Sequence, residues 1–151
     1  MPKIQNRKIL PYKIDLLYQV ITNVEEYNKF IPWCKKVTII TQDTQSLISD
    51  VDVEFLFIKE RYRSVAHFFP VMNNIAKTEI QMLKGPFKHF STLWVLEALE
   101  NNVTLVEFEC DFSFNKKLYD NIAKPVLMAA NNKIIQSFIK RVEFISKLSY
   151  I

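Results

Sequence analysis

Apolar residues recur along this chain with two different periods. Between residues 14 and 24 they stand at Ile14, Leu17, Val20 or Ile21, and Val24, which is one face of a helix. A second short helical turn over 24–30 carries Tyr27 and Phe30. Pro32 ends it, because the residue before a proline is pushed out of the α region. Ahead of both, Lys3 to Leu10 reads as a strand closed by Pro11.

After Pro32 the period becomes two. Val37 to Gln42 is the first strand of this stretch. In Leu47 to Ile58, Val51, Val53, Phe55 and Phe57 face one way, and Asp50, Asp52 and Glu54 face the other. Arg61 to Phe69 and Ile75 to Leu83 follow, with Pro70 and Asn73-Asn74 marking the turn between them. Phe87 to Leu99 places Phe90, Trp94 and Leu96 on one face. Beyond a turn at Glu100-Asn101-Asn102, Val103 to Phe114 sets Val106, Phe108, Cys110, Phe112 and Phe114 against Leu105, Glu107, Glu109 and Asp111.

The chain closes with helical spacing: Leu118, Ile122, Val126, Ala130, Ile134, Phe138, Val142 and Ile145. Pro125 is expected to kink this helix or split it in two. Short connections between strands imply an antiparallel meander, since parallel pairing needs long crossovers. One sheet face is charged and wet, so the other must be covered. The terminal helix is the element large enough to do it. The fold class is α+β: a curved antiparallel sheet wrapped around a long C-terminal helix, with two short helices after the first strand.

Composition narrows the chemistry. The 151 residues are 49% apolar and 24% charged, which suits one domain over 1–151. There is a single glycine, Gly85, where ordinary usage of ~7% gives about ten. One glycine cannot write a dinucleotide fingerprint, a P-loop or a nucleophile elbow. The two histidines, His67 and His89, and two cysteines, Cys34 and Cys110, form no zinc pattern, so no metal is expected. Reduced thiols and an N-terminus without an apolar signal core suggest a cytoplasmic protein. No segment approaches the ~20 apolar residues of a membrane span. The net charge of +4 suits anionic lipid headgroups and RNA equally well, or simply a solvated surface.

Three constellations remain. The aromatic load on the inward parity reads either as a filled core or as the lining of an apolar cavity. Tyr27-x-x-Phe30-Ile31-Pro32-Trp33-Cys34-Lys35-Lys36 reads as a buried loop anchor or as a membrane-interface insertion. Lys84-Gly85-Pro86-Phe87-Lys88 reads as a turn with positive φ at Gly85, and as one lip of a pocket. Asp50, Asp52 and Glu54 read as solvated. Cys110 with His67 or His89 is a nominal thiol–imidazole pair, but its strand face makes it a buried, inert thiol. Arg141 reads as a surface ion-pair residue. No catalytic residue is assigned.

Taken together, Leu10-Pro11-Tyr12, Tyr27-x-x-Phe30-x-Pro32-Trp33-Cys34, Gly85-Pro86-Phe87-x-x-Phe90-x-x-x-Trp94 and Ser137-Phe138-x-x-Arg141 occur in the order of the coenzyme Q-binding, START-like family, which includes the bacterial RatA-type proteins. The resemblance covers essentially the whole chain. Phe90 and Val142 depart from it, standing where Leu and Ala are common.

The resemblance implies a helix-grip fold and a non-enzymatic protein that holds ubiquinone in an apolar cavity and supports its respiratory function or delivery. The cavity lining is then expected from Val53, Phe55, Phe57, Met82, Phe90, Trp94, Phe108, Phe112, Phe114, Ile134 and Phe138. Its mouth is expected from Phe30, Ile31, Pro32 and Trp33 with Gly85, Pro86 and Phe87. Lys35, Lys36, Lys84 and Lys88 would hold the mouth against an anionic membrane, at the inner face of the inner membrane. Tyr62, His67, His89 and Arg141 are the polar groups open to a quinone head. The alternative partner is the ribosome, since RatA-type proteins are toxins that bind the large subunit and block subunit association. A polyketide-type cyclase of the same shape ranks below both, because the inward faces offer few acid or base groups. No DNA partner is expected.

Overall fold

A computed structural model describes residues 3–55, 58–114 and 117–148. Within that range it describes the side chains except those of Lys3, Phe55, Ile58, Phe112, Phe114 and most of residues 117–131. Strand β1 (Lys3–Leu10) leads into helix α1 (Ile14–Thr22) and a 3₁₀ turn over Val24–Lys29. Six strands follow: β2 (Cys34–Gln42), β3 (Ser46–Phe55), β4 (Ile58–Met72), β5 (Ile75–Lys84), β6 (Phe87–Ala98) and β7 (Thr104–Phe114). Helix α2 (Lys117–Leu148) ends the chain.

The seven strands form one sheet in the order β1-β7-β6-β5-β4-β3-β2, and every described pair is antiparallel. Sequential neighbours pair through tight turns. The β4–β5 turn is Asn73-Asn74 with φ of 53° and 67°, and Asn101 and Asn102 are likewise left-handed between β6 and β7. Asparagine tolerates that region, and two such residues give the turn whose twist matches a hairpin. Pro70 is not part of the turn. It sits inside β4, where the pairing with β5 slips between Phe69 and Met72. A ladder irregularity is where a strand can accept a residue with no N–H. Further slips in β2, at Arg63/Ser64 and at Phe87/His89 bend the sheet.

The alternation set by the sequence holds. Leu47, Ser49 and Val51 on β3, Ser64 and Ala66 on β4, and Ala76, Thr78 and Ile80 on β5 face the core. So do Thr92, Trp94 and Leu96 on β6, and Val106, Phe108 and Cys110 on β7. Leu105, expected on the wet face, is also buried. The small inward residues of β3–β5 let a helix approach the sheet closely. That helix is α1, which buries Ile14, Leu17, Val20 and Ile21 and packs on β4, β5 and β6. Helix α2 packs on α1, β7 and β1. The concave face is therefore shared by two helices, not covered by the last alone. Helix α2 runs from Lys117 to Leu148 without dividing at Pro125. Its described inward line is Ile135, Phe138 and Val142, with Ile134 half-buried beside it.

Candidate ligand-binding site

The concave face has two aromatic groups of different character. At its centre Trp94 lies 4.4 Å from Phe108 and 4.7 Å from Phe138, centroid to centroid. These three are 3–5% exposed. Tyr27 and Phe30 add edge-on contacts to Phe138 at 5.4 and 5.1 Å. This is close packing of the kind that fills a core. The space left beside Trp94 and Phe138, against Leu17, Ile21 and Val106, is an apolar niche of about 20 Å³. It admits about one water, not a ring.

Toward the end of the sheet where β3 meets β4 and β5 meets β6, the aromatic side chains are less enclosed. Tyr62 on β4 lies 5.8 Å from Phe87 and 5.3 Å from Phe90, and Phe87 lies 5.4 Å from Phe90. All three are half-buried, as are Val53 and Met82. Tyr62 shares the inward parity of Ser64 and Ala66, and its cross-strand partner is Val51. Phe57 lies outside the described residues, as do the side chains of Phe55, Phe112 and Phe114.

Gly85 does not have a positive φ. The expectation of a left-handed turn there is corrected: the glycine is needed for space. A Cβ at this position would meet Tyr62 Cβ at 2.6 Å and Met82 Sδ at 3.0 Å.

Both expected mouth loops stand at this end of the sheet, since Glu54 N–H donates to Trp33 C=O at 2.8 Å and Gly85 abuts Tyr62. Pro32, Lys35, Lys36, Lys84, Gly85 and Lys88 are exposed, and Trp33, Pro86 and Phe87 are half-buried. Ile31 and Phe30 differ from expectation. Ile31 is buried in the core, and Phe30 turns inward onto Tyr27 and Phe138. Arg141 is not a simple surface ion-pair residue either. Its guanidinium lies over the Phe30 ring at 5.5 Å and the Phe144 ring at 5.1 Å, and it reaches Glu26 at 3.9 Å. Apolar rings and a weakly hydrated planar cation suit one another.

The thiols are closed off. Burial, with Asp52 nearby, pushes Cys34 up to about 11, and burial, with Asp111 nearby, pushes Cys110 up to about 12. Burial also raises Tyr62 and Tyr27 well above the ordinary phenol range. The Tyr27 hydroxyl donates to the Ile21 carbonyl near the end of α1.

Residues 10–139 match the family described as polyketide cyclase / dehydrase and lipid transport. The chain belongs to this family. Over 147 residues it is 26% identical to the ribosome association toxin RatA of Rickettsia prowazekii, covering 97% of this chain and 100% of that one. It is 29% identical over 145 residues to a mitochondrial coenzyme Q-binding protein of Schizosaccharomyces pombe, covering 93% and 87%. A START superfamily protein from Mycobacterium smegmatis has the same fold, with a TM-score of 0.79 at 14% identity over 95% of this chain and 98% of that one. The helix-grip architecture expected from the sequence is thus the architecture of this family member.

A family that includes cyclases and dehydrases directs attention to acid and base groups. In this member the histidines do not face the cavity side. His67 is exposed on β4, and His89 faces Asp111 at 3.5 Å on the convex side, so neither meets Cys110. Asp50 and Asp52 are gripped by arginines of the next strand, Arg63 at 2.8 and 3.1 Å and Arg61 at 2.6 and 3.2 Å. These bidentate bonds hold both carboxyls below the usual carboxylate range. Glu60, opposite Val53, is the described strand carboxylate that shares the inward parity, at the rim. Among the described residues no cluster of His, Cys, Asp and Glu could hold a metal, and no helix is long and apolar enough to cross a membrane.

Proposed function

We propose that this protein is a non-enzymatic binder of ubiquinone, held at the Tyr62–Phe87–Phe90 end of the concave face, and that it supports the quinone's respiratory function or delivery. The observation that carries the reading is the contrast in packing. Trp94, Phe108 and Phe138 are closed, whereas Tyr62, Phe87, Phe90, Val53 and Met82 keep part of their apolar surface uncovered. A polyprenyl tail gains ~25 cal/mol for each Å² of apolar area it removes from water. A coenzyme Q-binding relative that shares most of its length with this chain supports the ligand's identity. The exposed Lys35, Lys36, Lys84 and Lys88 beside the two loops would hold the opening against an anionic membrane surface.

The test is to purify the protein without detergent, extract it with organic solvent and identify the lipid by mass spectrometry. Near-stoichiometric ubiquinone is expected. An empty extract, with added quinone failing to bind, overturns the reading.

A second reading rests on the similarity to a ribosome association toxin and on the excess of lysine. It requires co-sedimentation with the large ribosomal subunit that falls steeply with salt, because phosphate contacts release counterions.

A further inference from the structure

Four polar side chains were open to a ligand's head: Tyr62, His67, His89 and Arg141. Three of them are turned away or occupied. His67 is exposed at an outward position of β4, and His89 faces Asp111 on the convex side. Arg141 lies over the Phe30 and Phe144 rings and faces Glu26 at 3.9 Å.

Tyr62 alone of the four has the inward strand parity at the less enclosed end. Its backbone is fixed by the close approach of Gly85, and its ring is fixed by Phe87 and Phe90. Tyr27, another tyrosine packed against this core, gives its hydroxyl to the Ile21 carbonyl. Tyr62 Oη makes no hydrogen bond to any described residue. The phenol stays protonated at neutral pH, because burial disfavours its anion. It is therefore a positioned donor that no described residue engages, on a half-buried ring. Among the described residues that share this end, Val53, Met82, Phe87 and Phe90 are neutral, and the lysines of the two loops are exposed at the rim, so no described cation is buried beside the ring to compensate a carboxylate or phosphate.

We propose that Tyr62 is the specificity-determining residue of the site: its Oη donates a hydrogen bond to a neutral acceptor oxygen on a flat ring of the ligand, which lies against Phe87 and Phe90. The class this selects is an uncharged, carbonyl-bearing ring with an apolar tail, as against a fatty acid or a plain hydrocarbon. The inference rests on the ligand reading above and assigns its head-group contact.

Calorimetric titration with two probes separates the two claims. Decylubiquinone carries ring carbonyls, and decylbenzene carries the same tail on a ring without oxygen. Tyr62→Phe keeps the ring and removes only the hydroxyl. The expected result is a rise of about three- to tenfold in the decylubiquinone Kd, the effect of one net hydrogen bond, with decylbenzene unchanged. Thr78→Val is the control. Thr78 Oγ1 is also a concave hydroxyl without a partner among the described residues, but it is closed in opposite Trp94. Its replacement is expected to leave both affinities unchanged. Equal affinity of Tyr62→Phe and wild type for decylubiquinone overturns the head-group contact and leaves the apolar site standing. So does an equal loss for both probes, which makes the ring's packing the cause. A wild-type protein that binds neither probe overturns the ligand reading itself, and this inference with it.

Discussion

Gly85 and Tyr62 touch where the β5–β6 turn crosses the start of β4, so closely that a side chain on Gly85 has nowhere to go. A Cβ there would lie 2.6 Å from Tyr62 Cβ and 3.2 Å from Tyr62 Cα. The obstacle is backbone and Cβ, not a flexible tip. Gly85→Ala should therefore push the two strands apart, at a cost of about 1–3 kcal/mol for a forced overpacking. Urea unfolding measures it. A variant as stable as wild type would show that the close approach is dispensable.

The Arg141 guanidinium ties α2 to the 3₁₀ turn through the Phe30 ring and the Glu26 carboxylate, with Phe144 of α2 beside it. Arg141→Met keeps the length of the side chain and removes the charge. The loss expected is about 1–2 kcal/mol. Arg141→Lys should recover only part, because a compact ammonium cannot lie flat on two rings. A double-mutant cycle with Phe30→Leu should give a coupling energy well above the error. Additive losses would mean that Arg141 and Phe30 act independently.

Cys34 and Cys110, pushed up to about 11 and about 12, favour the thiol in the folded state. An unfolded thiol ionises at about 8.5. The stability this supplies is complete below about pH 8.5 and is lost as pH climbs through the folded values. Unfolding midpoints should fall across that window, and Cys34→Ala with Cys110→Ala should flatten the fall. Ellman's reagent at pH 8 should label neither thiol until urea unfolds the chain; rapid labelling of the native protein would contradict the burial of both.

Asp50 and Asp52 run in the opposite direction. Their folded-state carboxyls titrate below the ordinary range because Arg63 and Arg61 hold them. The stability they supply is present above the unfolded value of about 3.9 and is lost as pH falls through the folded ones. Asp50→Asn with Asp52→Asn should be less stable than wild type at pH 7 and equal to it at strongly acid pH. A gap that persists in acid would place the effect in packing instead.

The two loops at the open end predict a shared phenotype. Trp33→Ala and Phe87→Ala should each weaken binding of ubiquinone and of liposomes containing anionic lipid, with circular dichroism confirming the fold. If both variants bind like wild type, the opening lies elsewhere.

Much of this architecture was legible in the residues. The alternation in β7 and the asparagine pair at 73–74 report local stereochemistry, and local stereochemistry is written in the sequence. What was not legible depended on partners distant in the chain. Pro70 looked like a turn residue, but it lies within β4 because the β5 ladder slips beside it. Phe30 looked like a loop tip, but Phe138 and Arg141, more than a hundred positions away, draw it inward.

The sequence by itself determined the element order, the inward parity of the strands and the family, because period, turn chemistry and motif order are properties of neighbouring residues. Only the tertiary structure decided that Gly85 is there for space and not for a positive φ, and that α1 shares the sheet with α2. It also divided the aromatic residues into a closed group around Trp94 and an open one around Tyr62. A ring's partners lie on other strands, and whether they close over it is set by how those strands and helices approach, which no single stretch of chain specifies.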